Sequence, residues 1–211
     1  MTDTTAELQE AEPTPEQVRR GRRTALLLFA IGFGPMIFAT IMYYTGWLHP
    51  ETRSNHGELI QPAVPVAELH LLDGDGTPLE SRFGPQLQEP KWLLIVTART
   101  CGADCEELLY LSRQVNIALG KHANRVGRAA WLGEVPPALQ QRWGTDYRSM
   151  ERLQVAPGTT PSWPPQADPA DAPGILVVDP FGNVMMHYDN GHTGKEMLED
   201  LKHLMKLSQI G

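Results

Sequence analysis

Hydrophobic positions fall along this chain in three patterns, and each predicts a different kind of element. From Thr24 to Pro50 the stretch TALLLFAIGFGPMIFATIMYYTGWLHP carries no formally charged side chain. A helix needs roughly 20 apolar residues to cross a hydrocarbon core of about 30 Å, so residues 24–48 are expected to form one transmembrane helix in contact with lipid. Gly32, Gly34 and Pro35 would break a soluble helix but are tolerated in a membrane, and Tyr43, Tyr44 and Trp47 suit an interface. The second pattern is the short continuous apolar run WLLIVT at Trp92–Thr97, which fits a central strand covered on both faces. The third recurs at helical spacing: Leu108, Leu111, Val115 and Ala118/Leu119 in one segment, and Met197/Leu198, Leu201 and Leu204/Met205 within Glu196–Leu207.

Weaker signals fill the intervals. Strands are expected at Val66–Leu72, Val126–Leu132 and Arg152–Val155, and a short helix at Pro136–Trp143. Ile175–Val178 and Val184–His187 read as two strands joined at Asp179-Pro180-Phe181-Gly182. Asp73-Gly74-Asp75-Gly76 reads as a turn, because the remaining oxygen ligands of a calcium loop do not follow it. Residues 157–173 hold six prolines and read as a surface loop; the other reading is that Trp163, flanked by Pro161, Pro164 and Pro165, forms a rigid edge for a partner. Buried strand, helix, further α/β segment, hairpin and closing helix predict an α/β thioredoxin-like sandwich preceded by a single transmembrane helix.

Charge orients this arrangement. Arg19, Arg20, Arg22 and Arg23 directly precede the apolar run, and the bias predicts a cytoplasmic N-terminus and a domain in the periplasm of a bacterium or an equivalent exported compartment. A cleaved signal peptide is the alternative; the run exceeds a usual signal core and no clear small-x-small cleavage site follows it. The expected organisation is a disordered cytoplasmic tail over 1–23, the membrane helix over 24–48, a polar linker over 49–65 and one exported domain over 66–211. Formal net charge is -7, and no long basic cluster lies in the presumed domain, so nucleic acid is not an expected partner.

Cys101 and Cys105 are the only cysteines. A disulfide closing so short a loop constrains the unfolded chain weakly, so chemistry explains the pair better than stability. On the first turn of a helix they would face the same way, ready for a disulfide or for a soft metal such as Cu(I). The helix start favours a thiolate, while Asp104, Glu106 and Glu107 oppose it.

The anchor, the segment WLLIVTARTCGADCEELL and the distal segment ILVVDPFGNVMMHYDNGHTGKEMLEDLKHLM together resemble the SCO family of copper-handling, thioredoxin-fold proteins used in cytochrome c oxidase assembly. The resemblance covers roughly residues 24–48 and 66–211 and is diffuse in the middle. It implies a bacterial inner-membrane protein that passes Cu(I) to the binuclear copper centre of the oxidase, or reduces the cysteines of that centre, with Cys101 and Cys105 as its C-x-x-x-C element. One departure stands out. The family's histidine ligand normally precedes the strand corresponding to Ile175–Val178, and here that place reads Asp171-Ala172-Pro173-Gly174. His187 is then the replacement candidate for a third metal ligand beside the cysteines. Pro173 sits where thioredoxin-like oxidoreductases carry a cis-proline near the dithiol, with a plain turn proline as the other reading.

Three functions follow from these residues. The first is thiol-disulfide exchange by Cys101 and Cys105, with Pro173 at the site and, as client, the copper-site subunit of the oxidase or another periplasmic thiol or copper protein. The second is a Cu(I) chaperone built on the same pair. The third is a noncatalytic assembly scaffold.

Overall fold

The computed structural model describes residues 14–45, 55–87 and 89–208, and the chain divides into two units, 1–53 and 54–211. The first is a single helix, α1, Pro15–Thr45. Proline at the first helical position is pre-set for helix geometry and gives up only an N–H that would be unpaired there. At 1.5 Å per residue its 31 residues span about 46 Å, more than a hydrocarbon core requires. The helix therefore begins within the stretch expected to be a disordered tail, and Pro15–Arg23 are helical. Met1–Pro13 and residues 46–54, including Trp47 and the expected end of the span, lie outside the described residues.

The second unit is built on a seven-stranded sheet. Its strands are β1 Glu58–Pro65, β2 Leu71–Leu72, β3 Trp92–Thr100, β4 Val126–Glu134, β5 Glu151–Val155, β6 Gly174–Val178 and β7 Asn183–Tyr188, in the order β1-β7-β6-β3-β4-β5-β2. Three helices accompany them: α2 Ala103–Ala118, α3 Pro137–Asp146 and α4 Gly194–Leu207. The apolar run expected to be central is central: β3 pairs parallel with β4 and antiparallel with β6, and Leu94, Ile95 and Val96 are wholly buried.

Alternation along the strands sorts the core into two faces. The front face gathers Leu94, Val96 and Ala98 of β3, Ile175 and Val177 of β6, and Met186 and Tyr188 of β7 under Leu108 and Leu109 of α2, Leu139 of α3 and Leu201 of α4. The back face gathers Leu93, Ile95, Leu176 and Val178 beneath Val66, Leu69 and Leu79 of two short 3-10 turns and Phe83 just after the second. Trp163 joins this back layer and packs its ring 4.9 Å from that of Trp131. The proline-rich loop thus turns part of its tryptophan ring onto the back layer.

Two expectations need correction at the start of this unit. The polar linker does not extend to residue 65, because Glu58–Pro65 is an edge strand paired antiparallel with β7. Its prolines hid it: Pro62 and Pro65 argue against a central strand but are tolerated at an edge. The strand expected at Val66–Leu72 is instead a 3-10 turn, Val66–Leu69, followed by the two-residue β2. His70, in the left-handed region at φ 46°, separates the two. The Asp73 turn behaves as expected, with the Asp73 carboxylate accepting from the N–H groups of Asp75 and Thr77.

Candidate redox site

The candidate site lies where β3 hands over to α2. The last register pair of β3 with β4 is Thr100 with Glu134, and the Cys101 N–H then donates to the Glu134 carbonyl at 3.1 Å. Gly102 is the N-cap of α2 and lacks a side-chain cap, so the helix opens on a bare turn, with Glu106 N–H donating to the Gly102 carbonyl. That geometry brings residues 101 and 105 together. Their Cα atoms are 5.1 Å apart, within the range a disulfide bridges, and the two sulfurs are bonded.

The pair meets as expected but is not open to solvent. Cys101 and Cys105 are each 1% exposed and belong to the front core with Leu108, Leu109 and Leu139. Only the intervening Gly102, Ala103 and Asp104 are exposed. Two contacts frame the end of β3: the Arg99 N–H donates to the Pro169 carbonyl of the proline-rich loop, and Glu106 of α2 pairs with Arg142 of α3 at 2.7 Å. The disulfide is therefore a small polarizable unit buried where β3 passes into the first turn of α2.

Pro173 lacks the expected geometry, and His187 lies on the other face. Ala172–Pro173 is trans; the one cis peptide among the described residues is Gln61–Pro62, in β1. The cis-proline geometry that motivated Pro173 is absent, and Pro173 is the turn residue that delivers the chain into β6. His187 pairs with Leu176, a back-face residue, while its neighbours Met186 and Tyr188 face front. The imidazole thus lies across the sheet from the sulfurs, over Gly174, whose lack of a Cβ leaves room for the ring. Burial holds the His187 pKa below its ordinary value, favouring the neutral ring. Met186 is on the cysteine face but is 1% exposed inside the core. Met185 also packs against that face, and His192 instead bonds Asp189 and the His56 carbonyl.

A resident Cu(I) would require thiolates in place of the disulfide and, in the arrangement the resemblance implied, a third donor at His187. Among the described residues no three His, Cys, Asp or Glu side chains gather to hold a metal, and His187 is on the wrong face. The described residues do not assemble that Cys101–Cys105–His187 set.

A polar cluster that periodicity did not single out lies elsewhere under the front cover. Asp200 of α4, 2% exposed, accepts from the N–H groups of His56 and Gly57 and from the Tyr188 hydroxyl at 2.8–3.0 Å. Burial and the adjoining Asp200 carboxylate raise the Tyr188 pKa and keep its hydroxyl protonated as a donor. The signal was in the sequence: an aspartate sits in the apolar stripe of α4, three residues after Met197 and four before Leu204.

A membrane helix followed by a thioredoxin-like domain with a disulfide at the β3/α2 junction defines a class, the membrane-anchored thioredoxin-like proteins. The family model described as "Transmembrane-like, thioredoxin-like, C-terminal domain" matches residues 92–208, and "Transmembrane-like, N-terminal domain" matches residues 15–46. The chain belongs to this transmembrane-like, thioredoxin-like family. No curated protein matches it significantly. Among solved structures, yeast Sco1 is similar at 14% identity and a TM-score of 0.47, covering 68% of this chain and 95% of that one. The copper-bound ScoI of Bradyrhizobium japonicum is similar at 18% identity and 0.43, covering 70% and 98%. A thio-disulfide isomerase from Thermus thermophilus is similar at 18% and 0.42, covering 70% and 94%. SCO structures and thiol-disulfide proteins thus stand together among the matches, and at these values they assign neither activity nor ligand to this chain.

Proposed function

We propose that the protein is a membrane-anchored thiol-disulfide exchange protein whose working group is the Cys101–Cys105 pair. One observation carries the reading: the two cysteines are bonded at the junction of the central strand and the helix packed on it, across only three intervening residues. So short a loop adds little to folding stability. In the reducing direction, one thiolate of the reduced pair attacks a client disulfide; the client S–S bond breaks and a mixed disulfide forms. The second thiolate then attacks the mixed disulfide, releasing the client as a dithiol and leaving Cys101–Cys105 oxidised. Two electrons pass to the client, and an external dithiol donor must restore the pair. Because both sulfurs are buried, each step requires the start of α2 to open and expose them.

Four arginines ahead of the membrane helix support a cytoplasmic N-terminus and an exported domain. In that compartment the clients are proteins with paired cysteines, and the sequence resemblance names the copper-site subunit of a cytochrome c oxidase as the first to test. Burial of the sulfurs favours one other reading, a disulfide that only staples the start of α2. Cys101→Ser and Cys105→Ser, made separately in the full chain, distinguish the two. An exchange protein gives a trapped mixed disulfide with one variant and loses exchange with the other. Unchanged client redox state and no trapped species in both would leave the staple.

A further inference from the structure

The arginine end of α1 and its apolar length form one continuous stripe, and we propose that this stripe binds an anionic phospholipid. Two features of the helix, one polar and one apolar, coincide on it.

The polar feature is an arc of guanidinium groups. At about 100° per residue, Arg19, Arg20, Arg22 and Arg23 fall within an arc of about 160° on one side of the helix. All four are exposed, and Glu16 is the one acidic residue among the described residues of α1. Along the axis they span about 6 Å, comparable with one headgroup layer, and the uncharged stretch begins at once at Thr24. Arg19, Arg20 and Arg23 share a polar recess with Thr14, Glu16 and Gln17.

The apolar feature is a shallow groove on the same side. Ala30 and Gly34 are its smallest lining residues, lying about 20° and 60° round from Arg19, inside the arginine arc, and Leu26, Ile37 and Ile41 line the same strip. Phe29 and Phe33, with ring centroids 5.3 Å apart, wall one side, and Phe38 walls the other. Gly32, about 220° round from Arg19, is on the far side of the helix and outside the groove.

A phospholipid matches both features at once. Its phosphate takes the guanidinium arc, where planar N–H donors pair with phosphate oxygens, and an acyl chain packs over the apolar strip of Leu26, Ala30, Gly34, Ile37 and Ile41. A second copy of α1 could approach over Ala30 and Gly34 by small-residue packing. In a parallel pair, however, that approach would set the two arginine arcs against each other. Charge selects the lipid over the second helix, and selects an anionic headgroup over a zwitterionic one.

The test uses the full chain in phosphatidylcholine nanodiscs doped with phosphatidylglycerol that carries a photoactivatable group on its acyl chain. Crosslinks are expected on the Ala30–Gly34 side, and phosphatidylglycerol should be preferred over a phosphatidylcholine carrying the same group. Arg19→Gln with Arg23→Gln, leaving Arg20 and Arg22 in place, should lower that preference by about tenfold. Gly34→Leu should fill the groove and move the crosslinks off this side, whereas Gly32→Leu should leave them unchanged. Crosslinks spread evenly round the helix, equal labelling by the two lipids, or a dimer sealed through Ala30 and Gly34 would each overturn the proposal.

Discussion

The two faces of the central sheet hold their polar groups in different ways. On the front, the disulfide sits among aliphatic side chains, and the polar contacts beside it include neighbouring backbone and the Glu106–Arg142 pair. On the back, His187 is a buried imidazole over a glycine, and burial keeps it neutral. In sequence these looked like parts of one site; the period of two along β7 separates them, turning His187 away from the face that Met186 and Tyr188 share with the cysteines. A ligand set drawn from a strand has to be drawn from alternate residues. Here that rule leaves the thiols without the histidine.

The largest expected effect is on the front. Asp200→Ala removes the acceptor for the buried Gly57 N–H, the part-buried His56 N–H and the Tyr188 hydroxyl, and should cost about 3 kcal/mol. Urea unfolding of the full chain measures it; a loss under about 1 kcal/mol would mean that α4 is held by apolar packing alone. On the back, Gly174→Ala drives a methyl group against the His187 ring and toward the Tyr188 carbonyl, with an expected cost of about 1–3 kcal/mol. Combining it with His187→Ala should recover part of that loss, a coupling that a double-mutant cycle reads directly.

A smaller effect separates the faces by pH. The folded-state pKa of His187 lies below its ordinary 6.5, so the unfolded chain binds the extra proton first as pH falls. Its contribution to stability is therefore fully present above about pH 6.5 and is lost as pH falls toward the folded pKa. His187→Gln should flatten that part of the stability profile and leave the redox behaviour of the cysteines unaltered. The smallest effect is expected for Arg142→Ala. Glu106 and Arg142 are both well exposed, so stability should change by less than about 1 kcal/mol. If α3 helps to hold the start of α2 closed, however, the disulfide should be reduced faster by dithiothreitol. An unaltered reduction rate would remove α3 from the gate.

Much of this arrangement was legible where periodicity is strong. WLLIVT marked the central strand, Leu108, Leu111 and Val115 marked the helix beginning at Ala103, and the spacing of Cys101 and Cys105 marked a pair able to meet. Less was legible where tertiary context decides. Pro62 and Pro65 disguised an edge strand, and the inward turn of Trp163 depends on Trp131, 32 residues earlier in the chain. Burial of the sulfurs was also hidden: helical spacing puts two cysteines on one face, but which face of α2 meets the core depends on all of its apolar positions together. The Pro173 and His187 expectations came from chain position relative to a family pattern, and position along a chain does not fix a peptide isomer or a sheet face.

The central claim is that a buried disulfide is nonetheless exchangeable, and its reduction potential tests this most directly. Equilibrating the full chain with graded dithiothreitol or glutathione buffers and quantifying free Cys101 and Cys105 by alkylation would give the value. An exchange protein should titrate above about −300 mV, in the range of catalytic dithiols. A pair that stays oxidised below that potential and resists reduction until the domain unfolds would be a structural staple, contrary to the function proposed.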